Sequence, residues 1–469
     1  MDLNSLIYLK SELCLLLIFF ILLFMKIFSN DQNRNVGILK LVNVLLFINL
    51  IYGFFFNVEG QLFNEMFITN PLLVMEKNIL NLGIFLISLQ SFDWLKNHKF
   101  IIEYYLLLLS TMVGMFFMIS SGNLIMFYMG LELSAIPLAA VITFDHEKAR
   151  SAEAGMKMIL SSAFASGMML FGISLIYGTT GTLNLNELST AITGSPLQVL
   201  ACIFLMAGFG FKLSAVPFHL WTADVYEGAP VNITSFLSVI SKGATFFIFI
   251  RFIQKIFFHF PGPWSYMMFI LIAITITLAN LFAIRQENLK RFLAFSSITQ
   301  AGYILLGLST NTPSGEGSAL FFLLAYIFTN LGAFGVISII SNHTGKENIG
   351  DLKGFYQTNP RLSWALALSM FSLAGIPPTA GFFGKLFLLT SGASNGNYAL
   401  LTIAALNMII SLYYYIRVVK AMFVDAGENP IETIQSGTHA KIALIICSMG
   451  ILLIGFAGGL FNYIFALIS

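Results

Sequence analysis

Gly208-Phe-Gly-Phe-Lys-Leu-Ser-Ala-Val-Pro217 lies inside a run apolar enough to cross a membrane, and Ala374-Gly-Ile-Pro-Pro-Thr-Ala-Gly-Phe-Phe-Gly-Lys385 lies inside another. Each stretch combines Gly, Pro and a lysine. Proline removes a backbone donor and breaks the helix ladder, and broken backbone at membrane depth is tolerated only where it is buried in protein or lines a wet cavity. If five helices surround each break, the odd number of crossings gives the two units opposite orientation. Paired interruptions at corresponding positions are the sequence signature of an inverted-repeat transporter.

The rest of the chain agrees with a membrane setting. It is 57% hydrophobic and 10% charged over 469 residues, with a mean hydropathy of +0.85, whereas soluble domains are about one quarter charged. A hydrocarbon core of about 30 Å takes about 20 apolar residues per helix. Fourteen such stretches lie near 12–28, 38–56, 78–95, 101–120, 122–144, 153–177, 197–220, 231–257, 264–284, 289–309, 316–341, 363–391, 398–422 and 440–466. The expected fold is an all-α membrane protein of about 14 transmembrane helices with two inverted five-helix repeats, each containing a broken helix. The expected division is residues 1–100 for helices one to three, 101–257 for the first repeat, 264–422 for the second and 440–469 for the last helix. The longest loops, near 57–77, 342–362 and 423–439, hold about twenty residues each, so the work is done in or at the membrane.

Loops after odd-numbered spans, counting span ends, hold sixteen Lys or Arg, from Lys26 and Arg34 to Lys441, against four on the other side, Lys10, Lys77, Arg251 and Lys255. Basic residues are retained on the cytoplasmic side, which puts both termini outside. Asp224 and Glu227 follow span seven with no basic neighbour in sequence. Cys14, Cys202 and Cys447 are isolated in three spans and offer neither a disulfide framework nor the clustered thiolates of an iron–sulfur or zinc site. Residues 12–28 lack the basic n-region and small-residue cleavage site of a signal peptide, so a retained first span is expected. No Gly-rich phosphate loop follows a strand, which removes support for nucleotide binding.

The remaining charges carry the chemistry. Lys157, Lys212, Lys242 and Lys385 sit within spans, and Glu132, in Gly130-Leu-Glu-Leu-Ser-Ala-Ile-Pro137, is the one acid read as deep in the membrane. Such residues cost several kcal/mol in lipid and mark ion or proton pathways. Lys212 is the natural partner of Glu132, since an unpaired buried charge neutralises; making and breaking such a pair would move the lysine between protonation states. Lys242, in Leu237-Ser-Val-Ile-Ser-Lys-Gly-Ala244, has no acid in its span, and Ser238 and Ser241 suggest a hydrated lining for a central relay. Lys385 would be the terminal relay. Lys157 lies only a few residues inside its span, where snorkelling to the headgroups competes with a relay role. His219, just after the break in span seven, could pass protons near neutral pH or cap and pack a helix end. A structural ion pair is the bland reading of Glu132, but it leaves three lysines without a carboxylate at their depth.

The run Phe211-Lys-Leu-Ser-Ala-Val-Pro-Phe-His-Leu-Trp-Thr-Ala-Asp-Val-Tyr-Glu-Gly-Ala-Pro230 closely resembles the chain N family of bacterial respiratory NADH:quinone oxidoreductase, complex I. Gly130-Leu-Glu-Leu, Arg285-Gln-Glu-Asn-Leu-Lys-Arg-Phe-Leu-Ala-Phe-Ser-Ser297 and Gly375-Ile-Pro-Pro-Thr-Ala-Gly-Phe-Phe-Gly-Lys385 are similar to the same family. The resemblance covers about 100–465; the first hundred residues match poorly in detail. It implies an antiporter-like proton-translocating subunit of the membrane arm in the bacterial inner membrane. It places the family's charged positions on Glu132, Lys157, Lys212, Lys242 and Lys385. It also implies no cofactor in this chain, with FMN and iron–sulfur clusters in partner subunits, and other membrane-arm and hydrophilic subunits as partners. Mrp-type sodium/proton antiporters share the ancestry, and a secondary cation/proton antiporter is the competing reading.

Overall fold

Helix punctuation sets the crossings. In the computed structural model, which describes residues 3–28, 35–55, 58–394 and 396–468, fourteen crossings follow one another, nearly all helical. Arg34 and Phe56, included in the sequence expectations, lie outside the described residues. Spans one to six are Lys10–Phe28, Asn35–Tyr52, Pro71–Leu95, Ile101–Ile119, Leu124–Ile142 and Ala149–Thr180. Span seven is two pieces, Pro196–Leu213 and Leu220–Gly228. Span eight runs Val231–Phe236, a π turn Leu237–Ser241, then Lys242–Lys255. Spans nine to eleven are Pro261–Ile284, Leu289–Leu308 and Pro313–Thr344. Span twelve is again two pieces, Pro360–Ala374 and Ala380–Ser394. Tyr398–Phe423 is span thirteen, and Thr438–Phe456 with Gly458–Ile468 forms span fourteen.

Among the described residues, twelve helices are long and apolar enough to cross a bilayer by length and composition alone. Span twelve falls short because its break leaves two pieces of 15 residues. Span ten is polar for another reason: apart from Arg291 every residue in it is buried, so protein rather than lipid surrounds it. The central spans are eight, eleven and three, with 94%, 89% and 83% of their apolar windows buried against 28% for span one.

Span three begins seven residues earlier than the hydropathy reading placed it. Asn70 caps it, its side chain accepting from the Leu73 amide at 2.8 Å, and Pro71 occupies the first turn, where its missing N–H costs nothing. Glu76 and Lys77 therefore belong to the helix. The expected loop 57–77 also contains a hairpin, Gly60–Leu62 paired with Phe67–Thr69.

Successive crossings alternate in direction, so turns after odd-numbered spans gather on one face, the basic face, and those after even-numbered spans on the opposite face. Short bridges tie each set together: Asn288 to Asn348 on the basic face, and Phe67 to Ser121 and Asn123 to Asn184 on the other.

Candidate proton path

Span seven stops after Leu213, where Ser214 takes a left-handed conformation (φ 61°) and its amide and that of Ala215 turn back to Phe211 and Gly210 carbonyls. The indole of Trp221 also donates to the Phe211 carbonyl at 3.1 Å. Lys212 sits in this last turn. The structure does not make the close Glu132–Lys212 pair expected from sequence: among the described residues no hydrogen bond or ion pair joins them, and Glu132 Oε1 is buried without a partner. Glu132 still acts on the Lys212 charge at longer range. Tyr128, one turn earlier on span five, lies close to both Glu132 and Ser166.

Lys242 follows the π turn of span eight and is 3% exposed. Its partner comes from another helix: Nζ donates to Ser297 Oγ at 2.7 Å and lies 5.7 Å from the centre of the Tyr226 ring. Among the described residues neither Ser238 nor Ser241 has a hydrogen bond to Lys242 Nζ: Ser238 accepts from Asn330 at 2.8 Å, and the Ser241 backbone carbonyl accepts from Thr245 at 2.9 Å. Lys242, Ser297, Gln300 and Tyr326 border a cavity of about 10 Å³, roughly the space one water takes.

The first half of span twelve ends at Ala374, with Gly375 at φ +86°. Its last carbonyls lack helical partners and form the negative end of the helix dipole. Lys385 Nζ fills that place, donating to the Leu373 carbonyl at 2.6 Å and to Ala374 at 3.4 Å, 5.1 Å from the centre of the Tyr303 ring. A break in one helix thus supplies the acceptors for a lysine on the next.

Gln300 joins the two lysines. It borders the Lys242 cavity, and its Nε2 donates to the Leu373 carbonyl, the acceptor of Lys385, at 3.3 Å. The same amide donates to Tyr415 at 3.0 Å, Tyr415 and Ser296 share a hydrogen bond at 2.6 Å, and Gln300 Oε1 is buried without a partner. Sequence reading missed Ser297 and Gln300; the only signal was a polar cluster, Ser296-Ser-Ile-Thr-Gln300, in a crossing.

On the basic face, Lys157 is 42% exposed and pairs with Glu153 at 2.7 Å and Asp224 at 2.8 Å, a mouth position rather than a deep one. Asp224 and Glu227 do have a basic neighbour, distant in sequence: Arg291 reaches them at 2.7 and 2.9 Å. Beside them a vestibule of about 310 Å³ is bordered by Asp145, Glu227, Asn232, Lys290 and Glu347. From its wall a polar ladder rises along spans eight and eleven, Asn342 to Ser338 (3.2 Å) to Asn232 (2.8 Å), then Asn330 to Ser238, toward Lys242. His98, in the loop after span three, is held below the usual imidazole range by burial, against the nearby Asp145 carboxylate. His219 is buried in the span-seven break with Nδ1 unpartnered, its ring 6.4 Å from that of Phe282.

Glu132 is not the only acid within a crossing. Glu12, Glu76 and Glu316 are 1%, 2% and 6% exposed, near the opposite-face ends of spans one, three and eleven. Lys10 and Lys77, read as loop residues, are buried with them at 5% and 1%.

Fourteen crossings, two broken helices and lysines held inside them define an antiporter-like membrane protein, and comparison with known proteins narrows the class. Residues 121–411 match the family model "NADH:quinone oxidoreductase/Mrp antiporter, TM". The NADH-quinone oxidoreductase subunit N of Phocaeicola vulgatus is 45% identical over 467 residues, 98% of each chain. That of Azobacteroides pseudotrichonymphae is 43% identical, covering 99% of this chain and 98% of the relative. The respiratory complex I of Thermus thermophilus with bound aureothin contains a similar chain, with a TM-score of 0.81 and 28% identity over 96% of this chain and 97% of that one. The Mrp complex of Dietzia sp. DQ12-45-1b has the same fold, with a TM-score of 0.85 at 20% identity over 100% and 97%. The chain belongs to the NADH-quinone oxidoreductase subunit N family.

Proposed function

We propose that this chain is an antiporter-like, proton-translocating membrane-arm subunit of an NADH:quinone oxidoreductase, driven by electron transfer in other subunits. FMN and iron–sulfur clusters belong to those partners. The chain lies in the bacterial inner membrane with the basic face toward the cytoplasm and both termini outside, and residues 101–257 and 264–422 act as two inverted units around spans seven and twelve.

The observation that carries the reading is the polar connection from Lys242 through the Ser297–Gln300 cavity to the carbonyl holding Lys385. Lys212 has a carboxylate at a distance, Lys242 a single neutral hydroxyl, and Lys385 the end of a helix dipole. Support for an ammonium thus differs from station to station, and a proton has reason to move between them. Glu132 adjusts the first station: its approach to Lys212 favours the ammonium, and its withdrawal toward Tyr128 lets the proton pass on. Lys157 and the Asp224–Arg291 cluster serve the cytoplasmic mouth, and His219 lies beside the first break.

Replacing Lys212 or Glu132 with Ala in the assembled complex tests this: quinone reduction or proton pumping falls, whereas full pumping with both replaced contradicts it. A secondary cation/proton antiporter would instead exchange sodium for protons as an isolated chain, and purification in mild detergent with flavin and iron–sulfur subunits separates the two.

A further inference from the structure

One group of charges, buried except for the half-buried Arg251, stands apart from this path. Near the opposite-face ends of spans one, three, eight and eleven lie three acids, Glu12, Glu76 and Glu316, and three bases, Lys10, Lys77 and Arg251. Glu12 and Lys77 pair at 2.5 Å with both side chains 1% exposed. Lys77 also lies 5.2 Å from the ring centre of Phe67, which belongs to the hairpin over this face. Arg251 donates to the Ile119 carbonyl at the end of span four at 3.0 Å, and its charge, with those of Lys77 and Glu316, acts on Glu76. Gln254 donates to Glu316 at 2.7 Å, joining span eight to span eleven.

A purely structural network satisfies its buried atoms, because a half-satisfied one is worse than an apolar core. This one does not: Glu76 Oε2 and Glu12 Oε2 are both buried without a partner. Its position is equally telling. Leu80 of span three packs against Gly243, next to Lys242, and Glu76 is one helical turn, about 6 Å, farther toward the opposite face. Ser318 donates to the Phe387 carbonyl, two residues past Lys385, and Glu316 is two residues nearer that face. The two carboxyls therefore stand outward of the two central lysines, one each, beside the contact that Gln254 and Glu316 make between spans eight and eleven.

We propose that Glu76 and Glu316, with Arg251 and Gln254, form a shared proton-release site on the outer face, an inference that rests on the relay reading of Lys242 and Lys385. A proton leaving either ammonium breaks an N–H bond, crosses by water, and forms an O–H bond on a carboxylate; that bond breaks when the proton passes to external water. No electrons move. The six formal charges sum to zero, so each added proton leaves one net positive charge beside Arg251 and Lys77, and passing it to external water removes that excess.

The test is protons pumped per NADH by the intact complex in vesicles. The double variant Glu76→Gln/Glu316→Gln loses the same fraction as Lys242→Ala, and Glu76→Asp, which keeps the proton-binding group, retains at least half of the wild-type ratio. A wild-type ratio in the double variant, with Lys242→Ala defective, overturns the release site alone; wild-type pumping by Lys242→Ala overturns the relay beneath it. If the double variant fails to assemble, Glu76→Gln and Glu316→Gln are measured singly, the latter keeping its bond to Gln254: a loss in either supports the site, and an unchanged ratio in both overturns it.

Discussion

Replacing Gln300 with Leu cuts the connection between Lys242 and Lys385 at little structural cost. The substitution removes two hydrogen bonds, to Leu373 at 3.3 Å and to Tyr415 at 3.0 Å. Neither partner is orphaned: the Leu373 carbonyl keeps Lys385 and Tyr415 keeps Ser296. With neutral bonds contributing about 0.5–1.5 kcal/mol each, the loss of stability is about 1–3 kcal/mol. Proton transfer suffers more, because the cavity beside Lys242 loses its polar wall toward span twelve and a bridging water needs at least two polar partners. A water bridging Gln300 to the Lys242 ammonium would make a hydrogen bond to a charged group, and losing it, at about 1.5–3 kcal/mol, slows that step roughly 10- to 100-fold. NADH oxidation and proton uptake by inverted membrane vesicles, with assembled complex quantified on native gels, measure the effect. A fully assembled Gln300→Leu complex with wild-type rate and wild-type protons per NADH would refute the reasoning.

Four further outcomes are expected. Lys385→Arg keeps a donor for the Leu373 carbonyl but cannot release its proton, so the complex assembles and pumping collapses; normal pumping contradicts a relay role. Gly375→Ala places a Cβ at φ +86°, 3.2 Å from Lys385 Cδ; the left-handed strain of about 1–2 kcal/mol lowers thermal stability and displaces the ammonium, reducing pumping further than a stability loss of that size explains. Lys77→Met leaves Glu12 buried without its ammonium and costs about 3–5 kcal/mol, read as loss of assembled complex, and adding Glu12→Leu restores assembly. Lys157→Ala removes exposed ion pairs worth about 0–1 kcal/mol, so NADH oxidation changes less than threefold.

Gly–Pro-interrupted crossings and lysines within spans were legible because they break local rules of helix and lipid. The Lys212 and Lys385 stretches read as broken helices, and the structure breaks both there. What stayed hidden depends on pairing across the fold. Ser297 meets Lys242 from 55 residues away and Glu12 meets Lys77 from 65, and neither spacing leaves a periodic trace. Glu76 and Lys77 made hydropathy start span three too late, although Asn70-Pro71 carried the cap signal that marks the true start. Glu316 lies in the first turn of its helix, where a carboxylate reads as headgroup-facing; only tertiary packing shows that protein covers it. Asp224 and Glu227 looked unpaired because Arg291 lies more than sixty residues downstream.

The most direct measurement is the number of protons translocated per NADH oxidised by the reconstituted complex carrying Lys242→Ala or Lys385→Ala. With the buried lysines as stations of one path, each variant assembles and either loses the same share of pumped protons or stalls electron transfer with it. An assembled complex that oxidises NADH at the wild-type rate and pumps the wild-type number of protons without these ammonium groups would contradict the account.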